Sequence, residues 1–394
     1  MRILLLAPQP FYEPRGTPIA VKLLAQTLAE LGHEVDLLVL HLGEDVSIPG
    51  VTIHRTPALP GIRRVAPGLS LAKLCCDAAM LVKVLAMRVR RRYDVIHGVE
   101  EAAMLAWLMS WFSRTPYVFD MDSSMPQQIA DKLSLPGFVR QWLERVEAMG
   151  LRRSVGVLAV CKSLEDRARA AAPRAKVLRL EDISLLDHDA EVDEDLRASL
   201  GLAGNVLLYV GNFEPYQGID LLLEALARGV AEHPEMDLVL IGGTQAHIAQ
   251  YQDQADTLGI AGKTHFIGPR PVDKLAAYLR QADVLVSPRT QGGNTPMKVY
   301  SYLDSGVAVL ATDLDTHTQA MDPQIAVLAP PEPDAFGQAM VRLCRDPGER
   351  AKLAAAATRR VAERYSKPAY RAKLGSFYES LREAETNAWA QVKT

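Results

Sequence analysis

Apolar residues recur along this chain in two alternating registers. Short, nearly unbroken runs such as Ile3-Leu-Leu-Leu-Ala7, Val35-Asp-Leu-Leu-Val-Leu40, Val206-Leu-Leu-Tyr-Val210, Leu238-Val-Leu-Ile241 and Val307-Ala-Val-Leu-Ala-Thr312 are bounded by glycine, proline and polar residues. Runs of that kind suit strands buried on both faces, as in a parallel sheet. Between them the apolar positions move to helical spacing. The pattern predicts helices over 19–31, closed by Gly32, and over 70–92, where Leu71, Leu74, Ala78, Leu81, Val82, Leu85 and Val89 line up. Further helices are predicted over 137–152, 162–172, 219–231 and 273–280, and the chain is helical from Pro333 onward.

Strand-then-helix alternation that persists through both halves implies an α/β protein with two doubly wound parallel sheets facing each other across a cleft. Ligands of such sheets sit beyond the carboxyl ends of the strands. The acidic, weakly periodic stretch 181–195 is the best boundary, and Tyr365-Ser-Lys-Pro368 sets off a last helix. The predicted segments are 1–185, 186–365 and 366–394.

Charge narrows the partners. Over 394 residues, Lys+Arg 44 against Asp+Glu 47 leaves a formal charge of −3, so no whole-chain basic field points to nucleic acid. The four cysteines show neither metal-ligand spacing nor a disulfide framework. Met1–Ala7 runs straight into Pro8 and Pro10, too short for a secretory apolar core, and 69–87 carries Lys73, Asp77 and Lys83, so neither export nor a spanning helix is expected. The expected location is the cytoplasm. Arg88-Val-Arg-Arg-Arg92 ends one amphipathic helix, and 137–152 is a second basic one. Two readings compete for them: cations at the negative end of a packed helix, or a surface that meets anionic lipid at the inner face of a membrane.

The candidate chemistry lies at strand ends. Gln291-Gly-Gly-Asn-Thr-Pro-Met-Lys298 joins a strand predicted over 282–288 to a helix. Asn294 or Thr295 would cap that helix, Pro296 would take its first position, and Lys298 would add a cation, which together make an anion site for a pyrophosphate. The plainer alternative is a βα turn whose glycines only bend the chain. Gly16, in the first loop, either lets the backbone approach a ligand or simply turns it. A strand predicted over 93–97 would deliver His97, Glu100 and Glu101 to the same side, and the next would deliver Asp122, Ser123 and Ser124.

Several longer stretches are more specific than any single loop. Tyr209-Val-Gly-Asn-Phe-Glu-Pro-Tyr-Gln-Gly-Ile-Asp-Leu-Leu-Leu-Glu-Ala225, the stretch 294–306 with Ala311-Thr-Asp313, Pro14-Arg-Gly-Thr-Pro18, Gly32-His-Glu-Val35 and Asp94-Val-Ile-His97 resemble the GT-B glycosyltransferases of the family-four type, over nearly the whole chain. The resemblance implies a retaining hexosyl transfer from a UDP- or GDP-linked sugar to a glycan or lipid-linked acceptor, with no metal and no further cofactor. It makes 1–185 the acceptor domain, 186–365 the nucleotide-sugar domain and 366–394 a helix crossing back. Gly16, Asn212, Gln217, Asn294, Thr295, Pro296, Lys298 and Ser301 would then hold the donor, while His97, Glu100 or Asp122 would orient the acceptor hydroxyl. Family members usually carry an Arg and a Lys where this chain has Asn212 and Gln217, two glutamates where it has Gly293 and Ser301, and histidines where it has Val99 and Asp122. Those substitutions frame the alternative of a non-catalytic GT-B partner of an active transferase.

Overall fold

The computed structural model describes residues 1–13, 16–63, 65, 70–132, 136–192 and 194–391. It divides into two compact units, Met1–Glu181 joined by the chain from Tyr370 onward, and Asp182–Ala369.

The first unit runs β1 (Arg2–Ala7), α1 (Gly16–Glu30), β2 (Glu34–Val39), β3 (Val51–Arg55), α2 (Leu71–Arg90), β4 (Val95–Val99) and α3 (Ala102–Ser113). It continues with β5 (Tyr117–Met121), α4 (Met125–Lys132), α5 (Gly137–Arg153), β6 (Gly156–Ala159), α6 (Lys162–Ala171) and β7 (Lys176–Arg179). The second holds α7 (Leu196–Leu200), β8 (Asn205–Gly211), α8 (Ile219–Glu232), β9 (Met236–Gly242), α9 (Gln245–Thr257), β10 (Thr264–Gly268) and α10 (Leu275–Leu279). Then follow β11 (Val284–Ser287), α11 (Lys298–Asp304), β12 (Ala308–Thr312), α12 (Asp315–Thr318), β13 (Val327–Ala329), α13 (Pro333–Arg345), α14 (Pro347–Arg364) and α15 (Lys367–Gln391).

Both sheets are parallel and share one winding. The first has the order β3-β2-β1-β4-β5-β6-β7 and the second β10-β9-β8-β11-β12-β13. The direction of winding reverses between β1 and β4 and between β8 and β11, and at such a reversal the loops part and leave a crevice at the carboxyl ends. The apolar runs explain the strands: Ile3–Leu6, Leu207–Tyr209 and Val284–Val286 are wholly buried between helical layers.

The division between units falls inside α15. Beyond Tyr370, Phe377 and Tyr378 are buried in the first unit, Lys373 pairs with Glu181 at 2.7 Å, and Arg371 donates to the Glu30 carbonyl at 2.9 Å.

Two local expectations are corrected. β4 is Val95–Val99, preceded by Asp94, whose amide donates to the Arg2 carbonyl at 2.9 Å and whose carboxylate accepts from the Arg2 amide at 2.7 Å. It runs on past the expected end to Val99, so His97 is mid-strand and Glu100 follows the strand's end. Helix α11 begins at Lys298, two residues after Pro296, and its Met297 cap has no side-chain hydrogen bond. Thr295 is turned inward with its hydroxyl unpartnered, so it does not cap the helix, and the Asn294 carbonyl accepts from Thr316 Oγ1 at 2.7 Å. With seven residues, α11 is too short to supply the expected dipole. Pro14 and Arg15, part of the expected first loop, lie outside the described residues.

Candidate functional site

The reversal between β8 and β11 gathers most of the residues expected to hold a ligand. β8 ends at Gly211 with φ +153°, and a Cβ there would lie 3.0 Å from Tyr209 Oη and 3.3 Å from Lys298 Nζ, so a glycine keeps that space open. The Tyr209 ring lies 3.9 Å beneath the Lys298 ammonium, which also donates to Gln217 Oε1 at 3.3 Å. Tyr302 Oη accepts from the Val210 amide at 2.7 Å and clips α11 to β8, which fixes where Lys298 starts. Asn212 is exposed, and its carbonyl accepts from Tyr209 Oη at 2.7 Å. Ser301 is half-buried, one turn along α11.

A second cation enters that the glycine-centred reading passed over. Arg289 lies two residues past β11, with its guanidinium 5.2 Å from the Tyr216 ring and its Nε donating to the Gln291 carbonyl at 2.6 Å. A charged residue two places after a buried strand was the available signal. Other arginines of this unit are neutralised: Arg197 by Asp283 at 2.6 Å, Arg270 by Glu194 at 2.7 Å and Arg360 by Asp322 at 3.0 Å. Among the described residues no ion pair engages Lys298 or Arg289. Burial, then the neighbouring Arg289, pushes the Lys298 ammonium well below its ordinary pKa, and burial lowers Arg289 as well.

The buried histidine beside the pair is neutral. His317, fully buried between Ser287 Oγ at 2.8 Å and Thr312 Oγ1 at 2.9 Å, is lowered to about 3 by burial and carries no charge at neutral pH. Thr295 Oγ1 is buried without a hydrogen-bond partner, an arrangement that folding avoids unless something else supplies the bond. Beside these groups a cavity of about 390 Å³ is lined by Thr290, Gln291, Gly292, Asp313, Leu314 and Asp315 together with Thr318, and its two carboxylates are exposed.

At the carboxyl end of β4 in the first unit, Glu100 adopts φ +51°, a left-handed conformation unusual for glutamate. Gln9 Nε2 donates to its carboxylate at 2.6 Å and Ser123 Oγ at 3.2 Å. Burial, then the neighbouring Glu101, raises its pKa to about 7. Gln9 Oε1 is a further buried acceptor without a partner. His97 is placed differently from expectation: it is fully buried, with Tyr378 Oη 2.6 Å from Nδ1 and Asp120 Oδ2 3.0 Å from Nε2, so both ring nitrogens are occupied within the unit. Asp122 is half-buried just past β5. Gly16 opens α1 with φ +41° and empty space where a Cβ would stand.

Two family patterns match the sequence. Residues 15–181 match a glycosyl transferase 4-like domain, and residues 192–360 match the glycosyl transferases group 1. The chain is a GT-B glycosyltransferase. A phosphatidyl-myo-inositol mannosyltransferase of Mycolicibacterium smegmatis is 26% identical over 385 residues, covering 97% of this chain and 94% of the relative. A D-inositol 3-phosphate glycosyltransferase of Thermobispora bispora is 26% identical over 391 residues, covering 92% and 89%. Among solved structures, sucrose-phosphate synthase from Thermosynechococcus elongatus aligns with a TM-score of 0.81 at 20% identity, over 97% of this chain and 99% of that one. The Anabaena protein HepE in complex with UDP aligns with a TM-score of 0.76 at 18% identity, over 96% and 100%.

Proposed function

We propose that this glycosyltransferase moves a hexose-type sugar from a UDP- or GDP-linked donor, with retention of configuration, to a glycan or lipid-linked acceptor at the cytoplasmic face of a membrane. The observation that carries the donor half is the pair Lys298 and Arg289, two partly buried cations without a carboxylate, beside the unpartnered Thr295 hydroxyl. As the glycosidic bond breaks, negative charge collects on the leaving diphosphate. Fixed cations in a partly dehydrated site stabilise that charge more than they stabilise the bound donor. Gln217 and Asn212 add neutral polar contacts, and Asp313 and Asp315 offer acceptors for the hydroxyls of the sugar or ribose. No metal is assigned, because side chains supply the positive charge.

The acceptor half is assigned to the first unit, where Glu100, held by Gln9 and Ser123, accepts a hydrogen bond from the attacking hydroxyl and orients it. Support for the donor class comes from HepE, solved with UDP and with UDP-glucose. The mannosyltransferase named for phosphatidyl-myo-inositol supports a lipid-linked acceptor. The test is turnover with UDP-glucose, UDP-galactose and GDP-mannose against membrane lipid and oligosaccharide acceptors, with the product's anomeric configuration read by proton NMR. Transfer from one donor with its configuration kept is expected. An inverted product would overturn the retaining assignment, and no transfer from any nucleotide sugar by folded protein would overturn the donor assignment.

A further inference from the structure

Helices α2, α3 and α5 pack their inner faces into one apolar cluster on the first unit's sheet, through Cys76, Met80, Val84, Ala106, Met109 and Leu151. They are tied to one another by Lys73 to Glu101 at 2.5 Å, Arg88 to Thr115 at 2.6 Å and the Arg153 guanidinium 5.2 Å from the Trp111 ring. A surface helix with its inner stripe so satisfied is expected to turn polar residues outward. Helices α2 and α3 do not, and α5 sets two aromatic residues among its exposed Arg140, Gln141 and Arg145. Along α2 the outer stripe is Leu71, Leu74, Ala78, Val82, Leu85 and Val89, a second seam at helical spacing that is exposed throughout. Trp111 and Phe112 stand out from α3, and Phe138 and Trp142 from α5, with Phe112 and Phe138 each 76% exposed. Scattered apolar residues on a surface need no explanation, but an exposed seam on α2 continued by exposed aromatic residues on two neighbouring helices marks a contact.

Charge says what covers them. Residues 71–92, 102–114 and 137–153 hold eleven Lys or Arg and three Asp or Glu, in a chain whose acidic residues outnumber its basic ones. All three acids are paired within the unit: Asp77 with Lys73, Glu144 with Arg140 and Glu147 with Arg167. A second copy docking symmetrically would set like charges against like. Among the described residues no helix is long and apolar enough to cross a bilayer. Aromatic and aliphatic tips flanked by arginine fit the boundary between acyl chains and anionic headgroups.

We propose that the face formed by α2, α3 and α5 docks flat on an anionic bilayer, with Leu71, Val89, Phe112, Phe138 and Trp142 entering the acyl boundary and the flanking arginines on lipid phosphates. The inference rests on the membrane contact proposed above and adds to it an apolar ridge, including α3, that charge pattern alone did not reveal. It is tested by co-sedimentation of the full chain with vesicles of phosphatidylcholine alone and of phosphatidylcholine with phosphatidylglycerol. Binding to the anionic vesicles is expected, weakening as salt rises. Phe138→Ser plus Trp142→Ser, Phe112→Ser alone, and Arg90→Glu plus Arg92→Glu are each expected to weaken it about tenfold. UDP or GDP binding by these variants is expected to stay unchanged, which reports that they fold and separates this inference from the donor reading. Absence of binding to anionic vesicles, binding that the substitutions leave intact, or a concentration-dependent dimer that Phe112→Ser dissolves would each overturn it.

Discussion

Lys298 sits between a tyrosine ring, an amide oxygen and another cation, and its charge costs free energy in the absence of an anion. Removing that charge should therefore separate stability from function. Lys298→Met is expected to raise the unliganded melting temperature, by roughly 2–4 °C for each ~1 kcal/mol recovered, while reducing stabilisation by nucleotide. Differential scanning calorimetry with and without UDP or GDP checks both halves. Glu100 gives a second residue-scale expectation. Its folded pKa, about 7, lies above the ordinary carboxylate value of 4.5, so the folded state binds the extra proton and stability is lost as pH rises between those values. The melting temperature of Glu100→Gln relative to wild type is expected to climb from about pH 4.5 to about pH 7 and to level off above. A difference that stays flat across that window would contradict the assignment. Glu100 was legible in the sequence because it follows a strand signal closely, and Lys298 because it stands at a predicted helix start after a Gly-rich loop. Arg289 was not, since glycines draw attention to the loop beyond it, and the orphan Thr295 hydroxyl becomes visible only once its neighbours are in place.

The alternation of apolar runs and helical spacing carries most elements to within a residue or two, because strands buried on both faces leave little freedom in their composition. The ends of elements are less legible. β4 runs to Val99, past its expected end at His97, and α11 starts at Lys298 although Asn294, Thr295 and Pro296 suit a helix start just before it. Contacts distant in sequence are not legible at all: His97 is held from 281 positions away by Tyr378 on α15. Tyr378→Phe leaves that buried imidazole nitrogen without its partner and is expected to cost about 1–3 kcal/mol in urea denaturation. Gly156→Ala tests the same docking by shape, since its Cβ would stand 2.5 Å from the Phe377 ring. Overpacking of that kind costs about 1–3 kcal/mol. A stability equal to wild type for both variants would contradict the placement of α15 on the sheet.

At the scale of the whole molecule, two sheets with one winding each present a reversal at which a polar atom waits without a partner, Gln9 Oε1 in the first unit and Thr295 Oγ1 in the second. The fold repeats a scaffold, and the chemistry differs through the residues set at its edges. Asn212, Gln217, Gly293 and Ser301, where the family resemblance led to an expectation of charge, are neutral, while Arg289 and Lys298 stand on the neighbouring loop and helix. The diphosphate-binding charge has in this account moved across the site and remained in it. Isothermal titration calorimetry of UDP, GDP and ADP against wild type, Lys298→Met, Arg289→Gln, Asn212→Ala and Gln217→Ala tests this most directly. One nucleoside diphosphate is expected to saturate the wild type. Each cation variant is expected to bind it about 10- to 100-fold more weakly, as the loss of a charge-assisted contact of about 1.5–3 kcal/mol requires, and the two alanine variants are expected to lose only a few-fold. Wild-type affinity in both cation variants, or no binding of any diphosphate by the folded wild type, would contradict the account.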